Sequence, residues 1–119
     1  MICSTKTNFL DTCTGKEGEY IGCYYDDAHR DLKYGPKKSG YNQESCNTAC
    51  KEYTYYALQN NGWCACGNGY STLPKYVKKP DIQCGGPRGL GRGWRNSVYR
   101  TCPVIQGKIE FVINRLGNN

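Results

Sequence analysis

Two closely spaced cysteine pairs, Cys46-x3-Cys50 and Cys64-x-Cys66, constrain this chain more than any other feature. Asn42 reads as the N-cap of a helix over the first pair, with Glu44 in the first turn, where the dipole favours a negative charge. Four residues apart, Cys46 and Cys50 share a helix face at roughly 5–6 Å. Tyr53 to Leu58 and Cys64 to Cys66 read as the arms of a β-hairpin. Its turn is Asn60-Asn61-Gly62, residue types that tolerate positive φ. Cys64 and Cys66 share a strand face at about 6.6 Å. Two helix thiols thus face two strand thiols at matched spacing, and disulfide Cα separations of about 4.4–6.8 Å admit two bridges. The preferred pairing is nested, Cys46–Cys66 with Cys50–Cys64, although spacing alone does not fix connectivity. Zinc is the competing reading. Cys-x-Cys is tighter than a zinc knuckle, Cys-x3-Cys on a helix is not a ribbon spacing, and the remaining cysteines favour disulfides. Neither metal nor cofactor is expected.

Nine cysteines in 119 residues approach the density of a disulfide scaffold, and such chains belong in an oxidising compartment, secreted or on a cell surface. No stretch approaches the ~18 apolar residues of a membrane helix, so membrane insertion is not expected. No apolar run follows Met1; either a signal peptide has been removed or the chain is a fragment. The net charge of +6 is dispersed in small groups such as Lys37-Lys38 and Lys78-Lys79, which argues against nucleic acid. It suits a solvated face or an anionic surface. Tyrosine is abundant, at eleven against two Phe and two Trp. Its ring packs while its hydroxyl stays wet, a property shared by half-buried positions and by surfaces that bind polar partners.

Along the chain, residues 1–19 form an irregular arm with Cys3 and Cys13. Glu19 to Tyr25 reads as the first strand, residues 26–31 as a carboxylate-rich turn, and Leu32 to Gly40 as a loop. After the helix and hairpin, Tyr70 to Ile82 reads as a long loop, Cys84-Gly85-Gly86 as an anchored turn, and Trp94 to Thr101 as a strand. Ile109, Phe111 and Ile113 alternate in the tail, a further strand signal.

The block from Tyr20 to Tyr99 resembles a WSC domain. The residues that carry the resemblance are Tyr20-Ile-Gly-Cys-Tyr-Tyr-Asp26, Ser45-Cys46-x3-Cys50, Tyr55-Tyr-Ala-Leu58, Cys64-Ala-Cys66-Gly67-Asn68, Cys84-Gly-Gly86 and Trp94-Arg-Asn-Ser-Val-Tyr99. Ser71 to Gln83 holds no cysteine, so one disulfide usual in the family is absent. The resemblance implies a small disulfide-rich α+β fold of PAN/apple type, an antiparallel sheet wrapped around one short helix. To this the chain adds the arm (1–19) and a C-terminal strand (102–119), flanking a core of 20–101. It also implies a secreted or cell-surface carbohydrate-binding module without catalytic activity.

With the helix–strand pairs assigned, Cys23 pairs with Cys84, a loop worth roughly 4 kcal/mol in the chain-entropy model. Cys13–Cys102 would tie the arm to the last strand, leaving Cys3 free or bonded to another chain. Trp63 leads the aromatic candidates for stacking on a sugar, with Tyr70, Tyr76, Trp94 and Tyr25 behind it, while Asp26, Arg30 and Asn68 are candidates for hydroxyl contacts. Trp63 in a second small core is an equal reading. Asp26, Asp27 and Asp31 lack the spacing and glycine of an EF-hand loop and suit turn and ion-pair duty with Arg30. His29 has no constellation to serve as a triad base, and a chain this small offers little cleft for opposed carboxylates. The expected partner is a glycan or cell-wall polysaccharide. The alternative is a structural subunit that self-assembles into a homo-oligomer or filament through arm and tail, by strand addition.

The tail strand has two places to bury its apolar face, its own sheet through a Gln106-Gly107 turn or a neighbouring molecule. The short turn favours the first in loop entropy. Deleting residues 107–119 is therefore expected to lower stability and leave the oligomeric state unchanged. A folded, monomeric truncation of a protein that otherwise assembles would instead place the tail on a neighbour.

Overall fold

The computed structural model describes residues 16–103; the expectations placed on Cys3, on Cys13 and on the tail strand lie outside the described residues. Its elements are β1 (Glu19–Tyr25), β2 (Tyr34–Lys38), α1 (Gln43–Ala49), β3 (Tyr55–Gln59), β4 (Trp63–Gly67), β5 (Lys78–Lys79), a 3-10 turn (Asp81–Cys84) and β6 (Arg95–Arg100). The strands form one sheet in the order β2-β4-β3-β6-β1-β5, every neighbouring pair antiparallel. This is the small disulfide-rich α+β architecture expected, mostly sheet with one helix among the described residues.

Helix α1 begins with a reciprocal cap. The Ser45 amide donates to Asn42 Oδ1 at 2.8 Å, and the Asn42 amide donates to Ser45 Oγ at 2.9 Å. Seven residues are too few to hold a helix in water, so tertiary bonds must hold it. They do so through disulfides, but not with the nested connectivity. Cys46 bonds Cys64 and Cys50 bonds Cys66, with Cα separations of 5.7 and 5.4 Å. Chain direction is the reason. The short link after Cys50 turns α1 back into β3, and the 60–62 turn reverses β3 into β4. Two reversals run α1 alongside β4 in the same sense, so the first helix cysteine meets the first strand cysteine. Nested bridges would need the helix to oppose β4. Cys23 bonds Cys84, tying β1 to the 3-10 turn, and Cys102 is also disulfide-bonded.

The hairpin turn is as its residues suggest. Asn60, Asn61 and Gly62 all have positive φ, and a Cβ on Gly62 would sit 2.8 Å from the Tyr41 carbonyl oxygen. Residues 32–40 are not all loop, because Tyr34 and Lys38 pair with Cys66 and Cys64 as edge strand β2. Pro36 lacks an N–H but is tolerated on a sheet edge, and the strand is mostly exposed, so no apolar alternation marks it. The long 70–82 segment likewise contributes β5, which pairs with β1.

Both faces of the sheet are covered. On the helix face, Cys46, Cys50, Tyr56, Leu58, Cys64, Cys66 and Tyr99 form the main core. Leu32, Ala57, Ala65 and Val98 form a second core on the other face. Seven of the eleven tyrosines are half-buried, as their abundance suggests, but three go further. Tyr56, Tyr76 and Tyr99 are buried outright, and their hydroxyls donate to protein acceptors, the Glu17 carbonyl, Asp27 and the Gly89 carbonyl. The Tyr56 and Tyr99 rings stack at 4.6 Å. Burial pushes the Tyr99 phenol up to about 12 and raises Tyr56 and Tyr76 as well.

Asn47, fully buried in α1, joins the two ends of the described chain. Its Nδ2 donates to the carbonyls of Lys16 (3.1 Å) and Cys102 (3.0 Å), and its Oδ1 accepts from the Cys102 amide (2.9 Å). Asn47→Ala strands these groups and is expected to cost about 1–3 kcal/mol. Asn47→Asp, which sets a carboxylate against two carbonyls, should cost at least as much at neutral pH. Denaturant titration of both variants checks this; unchanged midpoints would contradict it.

Candidate functional site

Three turns meet at one end of the sheet. Gln59 closes β3 opposite Trp63, which opens β4. The loop before β6 lies along this hairpin: the Asn60 amide donates to the Arg92 carbonyl and the Asn61 amide to the Gly91 carbonyl, both at 3.0 Å. Arg92 and Arg95 then exchange backbone hydrogen bonds around Gly93-Trp94, and the tight reversal gives Trp94 a φ of 54°. The third turn follows β1, where the Asp26 amide donates to the Trp94 carbonyl at 3.1 Å and Arg30 takes a φ of 63°.

Between these turns lies a cleft of about 330 Å³ lined by Arg30, Gln59, Asn60, Trp63, Gly93 and Trp94. The Arg30 guanidinium lies between the two indoles, 4.2 Å from the Trp63 ring centroid and 5.1 Å from that of Trp94. Behind it the buried Asp26 carboxylate accepts from Gln59 Nε2 (2.7 Å), the Asp31 amide (2.8 Å) and, at 3.5 Å, Arg30 Nη1. Gln59 Nε2 also donates to Asn96 Oδ1 at 3.0 Å. A buried polar network thus fixes the floor, while indole, guanidinium and amide groups face the opening.

Of the residues singled out in the sequence, Trp63, Trp94 and Arg30 come together here, with Asp26 beneath them. Their ranking changes. Trp63 packs against the second core, which agrees with the core reading of it, and carries Arg30 on its ring. Trp94, at 45% exposure, offers the open indole. Tyr76 is buried against Tyr25 and Asp27, so its ring is not available for stacking. Tyr70 meets Tyr24 and Tyr55 edge-on in the second core. Tyr25 stacks on Tyr76 with Arg95 5.6 Å from its ring. Asn68 stands at the far end of β4, where Oδ1 accepts from the Thr54 amide at 2.9 Å. Sequence reasoning missed Gln59, Asn60 and Gly93 as lining residues. Asn60 and Gly93 carry only turn signals, and Gln59 carries none.

The carboxylates after β1 hold loops. Asp31 accepts from the amides of Ser71 and Thr72 and from Thr72 Oγ1. Asp27 accepts from Tyr76 Oη at 2.9 Å and pairs with Lys75 at 2.7 Å. His29 is an exposed turn residue beside Asp27. The four sulfurs of the helix–strand pairs are consumed in disulfides, which leaves no thiolate there for zinc.

The hydrogen bond from Lys75, with those from Tyr76 and the His29 amide, lowers the Asp27 carboxyl to about 2. A carboxyl lowered in the folded state contributes stability above its unfolded pKa and loses it as pH falls through the folded value. The thermal midpoint should therefore fall as pH drops from about 3.8 toward 2, and Asp27→Asn should flatten that part of the profile. An unchanged acid slope would contradict the assignment.

A family model, the WSC domain, matches residues 20–90. The match spans β1 to the 3-10 turn and includes Arg30, Gln59, Asn60 and Trp63. Strand β6, inserted between β3 and β1, lies beyond it, as do Gly93 and Trp94. The match covers more than half of the sequence: the chain belongs to the WSC domain family.

Proposed function

We propose that this chain is an extracellular, non-catalytic carbohydrate-binding module whose sugar contact is the cleft between Trp63 and Trp94. The observation that carries this is Trp94, a large apolar ring left 45% exposed at the lip of a polar-floored cleft. An exposed indole edged by guanidinium and amide donors suits a ligand with an apolar ring face and a rim of hydroxyls. Family membership supports the same reading, because WSC domains are carbohydrate-binding modules. The disulfides fit an oxidising, extracellular setting. Among the described residues no helix is long and apolar enough to cross a membrane. The carboxylates nearest the cleft are engaged in holding turns, which supports binding rather than hydrolysis.

A glycan array followed by calorimetry on the best ligand tests the proposal. Trp94→Ala should weaken binding by more than about 1 kcal/mol. Trp94→Gly should abolish the stacking equally while holding or raising the thermal midpoint, since glycine accepts the left-handed φ without strain. Undiminished binding by Trp94→Gly would remove this cleft as the sugar site.

A further inference from the structure

The geometry points to a sugar bearing an oxyanion, a uronate carboxylate or a sulfate ester, as the ligand of this cleft, with Arg30 the residue that selects it. The inference rests on reading the cleft as a glycan site. Among the described residues Arg30 is the only charged one lining it. Asp26 behind it pairs with it through a single nitrogen and not through both arms of the fork. That carboxylate takes its short hydrogen bonds from Gln59 and the Asp31 amide, and Arg30 Nη1 stands off at 3.5 Å.

Among the described residues this is the only hydrogen bond of the Arg30 side chain, so most of its fork of N–H donors lacks a protein acceptor. A guanidinium pairs with carboxylate or sulfate through two parallel bonds, a geometry a neutral hydroxyl does not match. The indoles hold the fork in place, which lowers the ordering cost of pairing it with an anion. Trp94 would take the sugar's apolar face while Arg30 takes its charged substituent.

Calorimetry with size-matched oligosaccharides of three kinds, neutral glucan, polyuronate and sulfated glucan, decides the matter on the full chain. Wild-type protein should bind at least one anionic series about tenfold more tightly than the neutral one, with the difference shrinking as salt rises. The anionic series that gains identifies the oxyanion. Arg30→Gln should erase the preference and Arg30→Lys restore part of it. The preference is a ratio of two affinities on one variant, so partial unfolding cancels from it. Equal binding of neutral and anionic series by wild type would overturn the inference and leave the glycan reading standing. A preference that survives Arg30→Gln would also overturn it, by assigning selection to dispersed surface charge. Failure of all three series to bind would remove both readings.

Discussion

The paired bridges Cys46–Cys64 and Cys50–Cys66 are the constraint on which the other contacts depend. A seven-residue helix contributes little cooperative stability of its own. Each bridge closes a loop of 18 or 16 residues, worth about 3 kcal/mol in the chain-entropy model. Together they fix the helix in position and direction against β4. The Tyr56–Tyr99 stack is then enclosed, and Asn47 reaches the backbone at both ends of the described chain. Cys23–Cys84 does related work across the sheet, anchoring the segment that leads into the Gly93-Trp94 turn.

The opposite face is built on a different principle. Its fully buried apolar residues are few and two are small: Leu32, Ala57, Ala65 and Val98. Small side chains let loops lie close to the sheet, and backbone brought that close needs hydrogen-bond partners. Asp31 supplies them to residues 71 and 72, Asp27 holds Tyr76 and Lys75, and Asp26 joins the first turn to Gln59. The cleft sits where this polar scaffold meets the hairpin. Its floor is therefore held by buried hydrogen bonds rather than by loose packing, and a rigid floor lowers the ordering cost of binding.

Local chemistry was legible in the sequence, and chain direction and long-range partners were not. Asn42 marks the helix start because its side-chain oxygen can cap a free amide of the first turn. Asn60-Asn61-Gly62 marks the hairpin because few other residues accept three positive φ values in a row. The two disulfide pairings, in contrast, satisfy the same spacing, and only the reversals of the chain separate them. Tyr76 reads as a surface ring until Asp27, 49 residues away, is seen to accept its hydroxyl. Trp63, Trp94 and Arg30 could be named as candidates by residue type. Their meeting depends on three turns converging, and Gln59 enters the cleft solely through the strand register that sets it opposite Trp63.

The backbone around the cleft adds a separate argument. Arg30, Asn60 and Trp94 all lie in the left-handed region, at φ of 63°, 50° and 54°. Asparagine adopts that region readily, but arginine and above all tryptophan do not, and the cost is about 1–3 kcal/mol for each such residue. Trp94 occupies a turn position that ordinarily takes glycine or asparagine. Its ring is 45% exposed, so only about half of the gain available from burying an indole is realised. The contact with Arg30, worth about 0.5–1 kcal/mol at an exposed site, offsets only part of that strain. Glycine would adopt that backbone without the strain. A residue that burdens the fold in conformation and in exposure, at the rim of a cleft with a fixed polar floor, is placed as a binding residue would be. The same reasoning extends to Arg30, whose strained backbone holds its charge against two indoles and only loosely against Asp26.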